Sequence, residues 1–285
     1  MTPTENPAQV TWDLEIKPRN RFFDLRYREL WAYRDLILLF VKRDFTVQYK
    51  QTLLGPLWHI LQPLITTLMY TFIFGNFARI PTDGSPGPVF YLSGIIIWYF
   101  FAGCFSNTSN TFLSNAGIFG KIYFPRLAVP VSVVISNAVR FFIQLGIFLA
   151  IAAYYIYRGD ISPGTTVALL PLLLIIMALM GMGAGLLVSS LTTKYRDLSF
   201  FLAFGLQLWM YLTPIIYPAS LWGEYRWVLD LNPMTAIVET FRNGFLGTGQ
   251  VGYLNLGYSA VFSLVIFFLG TAIFNKVERT FMDTV

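Results

Sequence analysis

Charged residues, cysteine and histidine are scarce in this sequence. Of its 285 residues, 12% are charged and 55% are hydrophobic, so a soluble globular domain is not expected. The single cysteine, Cys104, cannot form a disulfide within the chain or a cysteine-based metal cluster. The single histidine, His59, cannot by itself provide a histidine-based metal site or a catalytic triad. We therefore predict no catalytic residue and no metal ligand in this chain.

The motif for binding ATP is also missing. The segment nearest to a Walker A loop lies around Gly120 and Lys121, but Asn115 stands where the first glycine belongs and Ile122 where serine or threonine belongs. We therefore expect that the chain is not its own ATPase, is not an enzyme and binds no cofactor. Ion-coupled carriers usually have carboxylates inside the membrane and inverted repeats, and neither is evident here.

What the sequence has instead is six hydrophobic segments, each long enough to cross a bilayer. A hydrocarbon core about 30 Å thick requires roughly 20 apolar residues per helix. The segments are residues 56–77, 88–113, 127–157, 165–191, 198–217 and 254–274. We therefore predict an all-α integral membrane protein, with six transmembrane helices in a domain of residues 55–274 and a short tail at 275–285.

Lysine and arginine are concentrated on one side of these segments. Residues 1–55 hold nine of them, six more lie in short segments on the same side, and only Arg79, Arg158, Arg226 and Arg242 lie opposite. Because short cytoplasmic segments retain basic residues, both termini are predicted to be cytoplasmic. The same distribution accounts for the formal charge of +5 without nucleic acid. Residues 1–29 lack an apolar core followed by a cleavage site, so we expect a cytoplasmic tail and no removable signal peptide.

A basic amphipathic helix is predicted before the first span, within residues 30–54. At 100° per residue, Asp35, Lys42 and Arg43 share one arc with other polar residues, while aromatic and aliphatic residues occupy the opposite arc. Arg34 departs from this pattern. Such a helix is suited to lie on membrane lipid at the cytoplasmic surface. The alternative is a solvated helix beside the membrane.

Two segments between the spans differ from the rest of the chain. Residues 114–126, SNAGIFGKIYFPR, form a short basic and aromatic interruption, and Lys121 and Arg126 place it on the cytoplasmic side. Residues 219–252 lie outside and are neither apolar enough to span nor polar enough to be disordered. Within them, Asn232 and Pro233 predict a helix cap and first turn. We expect short re-entrant helices there that dip into the outer leaflet.

One arginine, Arg140, lies inside a predicted span. It is about 13 residues from the start of the third hydrophobic segment, which predicts a position near 20 Å deep at 1.5 Å per residue. A charged side chain at that depth is costly and rarely faces lipid. We expect it to meet backbone carbonyls, an acidic residue that dips into the membrane such as Glu239, or an anionic ligand in a cavity.

Five short sequence motifs, in this order along the chain, together resemble a known family. They are LLGPLWHILQPL (53–64), FPRLAVP (124–130), YRDLSF (195–200), TPIIYP (213–218) and LNPMTAIVETFRNGFLG (231–247). Together they resemble the membrane subunit of bacterial ABC exporters for lipid-linked polysaccharides such as O-antigen, capsule or teichoic acid, from about residue 30 to the end. The resemblance implies a homodimer with a central channel in the inner membrane. It also implies two separate ATP-binding subunits, which would hold ATP and Mg, and a lipid-linked polysaccharide as substrate.

The resemblance also assigns roles to the unusual segments. Residues 114–126 become a coupling loop that docks on the ATP-binding subunit, and residues 219–247 approach the external exit of the channel. The helix within 30–54 becomes a gate helix at the membrane surface. The expected coupling residues are Gly120, Lys121, Ile122, Tyr123, Phe124, Pro125 and Arg126, and the expected gate-helix residues are Arg34, Asp35, Lys42 and Arg43.

Aromatic rings are candidates for contact with sugars along such a channel, because sugars stack on aromatic faces. The candidates are Trp58, Tyr70, Trp98, Tyr99, Trp209 and Tyr211, and the alternative for each is an ordinary role in the core or at the membrane interface. Arg140 is a further channel candidate, for the diphosphate of the lipid carrier. An ABC exporter of drugs or small lipids, a secondary carrier and a membrane scaffold without transport are the other functions compatible with the sequence.

Overall fold

The computed structural model describes residues 27–50, 52–119, 124–192 and 197–284, and these residues form helices and no strand. The chain enters through two short helices, α1 (Tyr27–Ala32) and α2 (Arg34–Tyr49). A break at Tyr33 therefore divides the single helix that the sequence predicts. Ile37 and Phe40 are buried on one face of α2, and the exposed face carries polar side chains such as Asp35 and Lys42 together with the apolar Leu38 and Leu39.

Five long apolar helices agree with five of the six predicted spans. The first combines a 3₁₀ turn (Gly55–Leu57), α3 (Trp58–Tyr70) and a π-helical segment (Thr71–Phe77). The second and third are α4 (Gly87–Ser109) and α6 (Ala128–Tyr157). The fourth combines a 3₁₀ segment (Thr165–Leu169) with α7 (Leu170–Thr192), and the last is α11 (Tyr253–Thr284), whose apolar part ends at Val277. Each is long and apolar enough to cross a bilayer.

The remaining predicted span, residues 198–217, is helical only over α8 (Leu198–Leu212). Fifteen residues extend about 22 Å, which is less than the thickness of the hydrocarbon core. The helix ends where it does because Thr213 precedes Pro214 and takes an extended conformation, with φ −97° and ψ 138°. The structure thus contains five helices of spanning length among the described residues, and the sequence predicted six.

Short helices occupy the two segments that the sequence singles out between the spans. After α4 the chain breaks at Asn110 and continues as α5 (Thr111–Phe119), which covers the first half of the predicted coupling loop. The external segment contains a 3₁₀ helix (Ala219–Tyr225), α9 (Arg226–Asp230) and α10 (Pro233–Leu246). The predicted cap is confirmed, because the Asn232 side chain accepts a hydrogen bond from the Met234 backbone N–H at 3.0 Å.

The helices pack around α4, which is buried on most of its surface and contacts α3, α6, α7, α8 and α10. Helix α7 also packs along α11. A second, smaller apolar cluster lies at the predicted cytoplasmic end. It joins α2, α5, the start of α6, and the corresponding ends of α7 and α11. The fold is therefore a membrane bundle with a separate packed layer at one end.

Two glycines set the distance between α7 and α11. A Cβ atom added at Gly183 would lie 2.6 Å from the Cα atom of Phe267, and one added at Gly270 would collide with the backbone of Gly183. Backbones approach this closely in membrane bundles only where the facing residues are small. The pairing of α7 with α11 therefore requires both glycines.

We expect Gly183→Ala to separate α7 from α11 and to lower the free energy of unfolding by about 1–3 kcal/mol, as overpacking does in other tightly packed interiors. The measurement is the midpoint of thermal unfolding of the purified protein in detergent. Gly257→Ala on α11 is the matched control, because a Cβ atom there meets nothing within 4 Å. The control should leave the midpoint unchanged or slightly raised. An equal midpoint for Gly183→Ala and wild type would contradict the close contact.

Candidate functional site

Five phenylalanines form a continuous aromatic cluster at the predicted cytoplasmic end. The Phe124 ring lies 5.6 Å from that of Phe40 on α2 and 5.7 Å from that of Phe119 on α5. Phe112 continues the series, 6.0 Å from Phe119 and stacked at 4.4 Å on Phe274 of α11. Such pairs contribute about 0.5–1.5 kcal/mol each beyond their burial. The aromatic cluster therefore ties the end of the predicted coupling loop to α2, α5 and α11.

Only part of the predicted coupling loop falls within the described residues. Gly120, Lys121, Ile122 and Tyr123 lie outside them. Phe124 and Pro125 are buried, and the Arg126 guanidinium lies 5.4 Å from the centre of the Phe119 ring. The carbonyls of Pro125 and Arg126 accept hydrogen bonds from the first turn of α6. A displacement of residues 124–126 would therefore act directly on α6 as well as on the aromatic cluster.

The predicted gate-helix residues divide into two groups. Arg34, Asp35 and Lys42 are exposed, and the first two lie at the 4.0 Å limit of an ion pair. Arg43 turns inward instead. Its guanidinium donates to Asp44 at 2.8 Å and to the Asn115 side chain on α5 at 3.2 Å. Arg43 thus attaches α2 to the bundle, in addition to the contact that Phe40 makes.

Arg140 lies beside the ends of two other helices. It lines one cavity together with His59, at the start of α3, and Asn107, two residues before the end of α4. Those are the predicted cytoplasmic ends of two spans. Helix α6 has 30 residues and is about 45 Å long, so roughly its first 18 Å project beyond the level of these ends. Helix α2 packs against α6. Because the depth of Arg140 depends on where the membrane begins along α6, the expected 20 Å stays a prediction.

Two adjoining cavities surround Arg140, and we call them together the polar cleft. Their volumes are about 440 and 310 Å³, and both are lined by Asn107, Asn137 and Arg140. The larger cavity extends between α2, α5 and α6 and the smaller one between α3, α4 and α6. The larger is also lined by Arg43, Asp44, Asn115 and Ser136, and the smaller by His59, Gln62, Tyr99 and Gln144.

Side chains of α6 organise the polar cleft. The Asn137 amide donates to the Val133 carbonyl at 2.8 Å and accepts from Arg140 Nη1 at 3.3 Å, so it holds the guanidinium from one side. The Phe45 ring lies 5.8 Å from the guanidinium on another side. The side chain of Asn137 also packs so closely on Gly103 of α4 that a Cβ atom there would collide with it.

The six aromatic candidates lie in different places. Tyr99 lines the polar cleft, and its hydroxyl is within 3.1 Å of the Thr66 hydroxyl. Tyr70 packs edgewise on Tyr91 inside the bundle, and Trp98 is 4% exposed, so it belongs to the core of the single chain.

The other three aromatic candidates are nearer to the surface. Trp58 and Tyr211 are each 49% exposed. The Trp209 indole donates to Asn232 at 3.0 Å and lines a separate, mostly apolar cavity of about 290 Å³ at the predicted outer end. Tyr99 is thus the aromatic candidate that the structure places beside Arg140.

The sequence analysis missed Arg242, which it placed among the external arginines. The side chain is fully buried and donates to the carbonyls of Pro214 at 2.6 Å and Ile215 at 2.9 Å. Its guanidinium lies 3.7 Å from the centre of the Phe90 ring on α4. Arg242 therefore satisfies backbone groups that the end of α8 leaves without helical partners and fixes this segment to α4.

The acidic partner of Arg242 is Glu239, one turn earlier on α10. Their closest charged atoms are 3.8 Å apart, and Glu239 also accepts the Gln250 backbone N–H. Glu239 was expected as a possible partner of Arg140, and in the structure it instead pairs with Arg242 at the predicted outer end. Helix α10 is not one of the five helices of spanning length among the described residues. In the sequence, this pair could have been found from the spacing of Glu239 and Arg242, because side chains three residues apart on a helix are neighbours.

Known proteins similar to this chain span most of its length. The sequence model described as ABC-2 type transporter matches residues 35–246. The O-antigen export system permease protein RfbA of Klebsiella pneumoniae is 30% identical over 251 residues, which cover 87% of this chain and 94% of that protein. RfbA of Myxococcus xanthus is 26% identical, covering 90% and 98%. The polysialic acid transport protein KpsM of Escherichia coli is 24% identical, covering 85% and 93%.

We expect Arg242→Leu to lower the free energy of unfolding by about 3–5 kcal/mol, because it leaves the Glu239 carboxylate buried without its cation and two carbonyls without donors. Thermal unfolding of the purified protein in detergent measures the change. Arg226→Leu is the control, because Arg226 bonds to Gln250 at the surface, and it should cost less than about 1 kcal/mol.

A double variant tests whether the buried pair is the cause. Replacing both Glu239 and Arg242 by leucine should recover part of the stability, since no unpaired charge then remains. Equal losses for Arg226→Leu and Arg242→Leu would contradict the role given to Arg242.

Proposed function

Because the chain belongs to the ABC-2 type transporter family, we propose that it is the membrane subunit of an ATP-driven exporter of a lipid-linked polysaccharide. Two copies form the channel in the bacterial inner membrane, and two separate ATP-binding subunits supply energy from the cytoplasm. ATP and Mg bind to those subunits, and this chain binds no cofactor. The names of the relatives, which refer to O-antigen export and polysialic acid transport, support a polysaccharide as the substrate.

The observation that carries the proposal is the aromatic cluster behind residues 124–126. A loop that only connects two spans needs no buried attachment to other helices. Here Phe124 at the loop end contacts Phe40 of α2 and Phe119 of α5. Phe119 continues through Phe112 to Phe274 of α11. This arrangement is suited to pass a push on the cytoplasmic surface to several helices at once.

The proposed mechanism follows from these contacts. ATP-driven closure of the ATP-binding subunits presses on residues 120–126, and Phe124 transfers the displacement to α2 and α5. Pro125 and Arg126 transfer it to the first turn of α6 through backbone hydrogen bonds. Because packed interiors are bistable and do not deform continuously, the bundle responds by moving between discrete arrangements. In one of them the two copies open a path for the polysaccharide.

The topology proposed for this mechanism has six crossings and cytoplasmic termini. Helix α8 covers most of the fifth crossing, and the non-helical residues after Leu212 complete it while buried in the protein. Irregular backbone is tolerated inside the membrane only where the protein buries it and supplies its hydrogen-bond partners. Arg242 supplies such partners by donating hydrogen bonds to the carbonyls of Pro214 and Ile215. The 3₁₀ helix (Ala219–Tyr225), α9 and α10 then form the re-entrant cap at the outer leaflet.

The surface of the single chain is consistent with a second copy. Phe200, Phe201 and Phe204 on α8 are exposed, and so are Trp58 and Tyr211. In a homodimer some of these rings would meet the partner copy, and others would border the channel. Rings at a channel wall offer sugars a flat apolar face without requiring a particular sequence of sugars.

We expect Phe124→Ala to uncouple ATP hydrolysis from export, because it removes the ring that joins the loop to α2 and α5. The wild-type chain, purified in lipid with its genomically adjacent ATP-binding subunit, should form a stable complex whose ATPase activity rises with lipid-linked glycan. The variant should assemble but lose most of this stimulation. Phe77→Ala, which removes an 84% exposed ring in the first predicted span, is the control and should keep it.

Two results would contradict the proposal in different ways. If the folded wild-type chain bound no ATP-binding subunit, it would not be an ABC exporter subunit. If Phe124→Ala and Phe77→Ala both kept full stimulation, the aromatic cluster would not be the route of coupling.

A further inference from the structure

We propose that the exposed side of α4, which lines the smaller cavity of the polar cleft, binds uncharged sugar units of the polysaccharide as they enter the membrane. The inference rests on the proposed function and deepens it, because it concerns the surface along which the exporter guides its cargo. Its basis is a contrast between the spans. The exposed side of α4 is polar, whereas the exposed sides of the neighbouring spans are mostly apolar.

Helix α4 exposes a narrow stripe and buries the rest of its surface. Between residues 89 and 109, five residues are not buried, and every other residue is. At 100° per residue these five share an arc of about 140°, and none has a large aliphatic side chain. We call them the α4 stripe: Tyr99, Ala102, Gly103, Ser106 and Asn107.

The exposed surfaces of the neighbouring spans have a different composition. On α3 the exposed side chains include Ile65, Leu68 and Phe72, and on α6 they include Phe142 and Leu149. Polar groups within a span face the interior of a bundle or a water-filled space, because they are costly in hydrocarbon. The α4 stripe is therefore suited to border water or cargo and not lipid tails.

All five residues of the α4 stripe line the smaller cavity of the polar cleft. Gln62 of α3 lines this cavity on one side, and Asn137 and Gln144 of α6 line it on the other. Its volume of about 310 Å³ falls in the range of small-molecule sites. The smaller cavity is thus a polar groove, with α4 as its floor and α3 and α6 as its walls.

The polar cleft contains hydrogen-bonding groups that the protein does not use. The side chains of Gln62, Ser106 and Asn107 are exposed and form no hydrogen bond with the other described residues. Ser136, in the adjoining larger cavity, is 2% exposed, and its hydroxyl has no partner in the described part of the chain. A buried hydroxyl without a partner costs free energy. These groups are available to a ligand.

Uncharged sugars match the groups that line the smaller cavity. Amide and hydroxyl side chains both donate and accept hydrogen bonds, as sugar hydroxyls do. The Tyr99 ring, which is only partly buried, offers a face for stacking. Arg140 also lines the cavity, but its guanidinium already contacts Asn137 and the Phe45 ring. Asp44 acts on Arg140 electrostatically as well. Binding of sugar in the smaller cavity therefore requires no free charge.

The α4 stripe lies at the end of the bundle where the cargo enters. It extends about 12 Å from Tyr99 to Asn107, which is two residues before the predicted cytoplasmic end of α4. In the opposite direction, every residue of α4 from Trp98 back to Val89 is buried. A glycan therefore reaches the α4 stripe from the cytoplasmic side, and in this arrangement of the helices the stripe ends at Tyr99.

The first test is the accessibility of the smaller cavity to water, in the complex of this chain with its ATP-binding subunit held in nanodiscs. Gln62→Cys, Ser106→Cys and Asn107→Cys are labelled with a charged maleimide, and electrophoresis separates the two subunits. Leu68→Cys, at a 67% exposed position of α3, is the lipid-facing control. We expect the three cavity cysteines to react at least tenfold faster than this control and than the buried natural Cys104. Reaction as slow as that of the control would overturn the proposal.

Protection from labelling tests what the cavity binds. The probes are the glycan released from its lipid by mild acid, and farnesyl diphosphate, which carries an anionic diphosphate and no sugar. We expect the released glycan to slow labelling of Asn107→Cys at least fivefold and farnesyl diphosphate to leave it unchanged. Protection by farnesyl diphosphate alone, equal protection by both probes, or protection by neither would each overturn the proposal.

Substitutions of Asn107 connect the cavity to export. Asn107→Leu replaces the amide by an apolar group of similar size and should lower ATP-driven export of the glycan at least fivefold. The thermal unfolding midpoint should not fall, because no hydrogen bond is lost. Asn107→Gln restores an amide and should recover most of the export. Met69→Leu, at an exposed apolar position of α3, is the matched control and should export like the wild type. Full export by Asn107→Leu would overturn the proposal.

Export by the wild type separates a failure of this inference from a failure of the proposed function. If the wild-type complex exports glycan while the released glycan protects none of the cavity cysteines, only the inference fails. If the wild-type complex exports no glycan, the proposed function itself fails, whatever the labelling shows.

Discussion

The absence of water from the interior of a bilayer is the constraint on which this structure depends, because every backbone polar group there needs a partner within the protein. Long helices meet this requirement through their own backbone hydrogen bonds, and the irregular segment after α8 does not. The chain solves this problem with a fully buried arginine, Arg242, whose guanidinium bonds to two carbonyls beyond the helix end and is balanced by Glu239. In the proposed topology of six crossings, the polar side chains of α10 thereby make a broken fifth crossing possible.

The length of α6 separates the molecule into a membrane bundle and a layer at one end of it. Helix α6 is about 45 Å long and exceeds the hydrocarbon core by roughly 15 Å, so its first part projects with α2 and α5 into a separate layer. The aromatic cluster packs this layer, and the polar cleft lies at its boundary with the membrane bundle. A force applied to residues 120–126 would therefore reach the aromatic cluster first and the polar cleft next, through α2 and α5, which contribute residues to both.

Much of this architecture could be predicted from the sequence, because hydropathy over 20 residues depends on local composition alone. Five spans and the cap at Asn232 follow from such local signals, and the end of α8 could have been read from Thr213 and Pro214. The position of Arg140 relative to the ends of α3 and α4 could not be predicted, because it depends on how these helices pack against α6. The inward turn of Arg43 and the burial of Arg242 also depend on contacts between distant segments. The coupling role of residues 120–126 stays a prediction.

The central claim is that this chain moves a lipid-linked polysaccharide across the membrane with energy from ATP. The most direct measurement uses proteoliposomes that contain the chain and its ATP-binding subunit, with lipid-linked glycan initially confined to the leaflet that faces the ATP-binding subunits. Access of a membrane-impermeant glycosidase on the opposite side reports translocation. The account predicts that ATP makes the glycan accessible and that the complex without ATP leaves it protected. Hydrolysis of ATP with the glycan still protected would contradict the account.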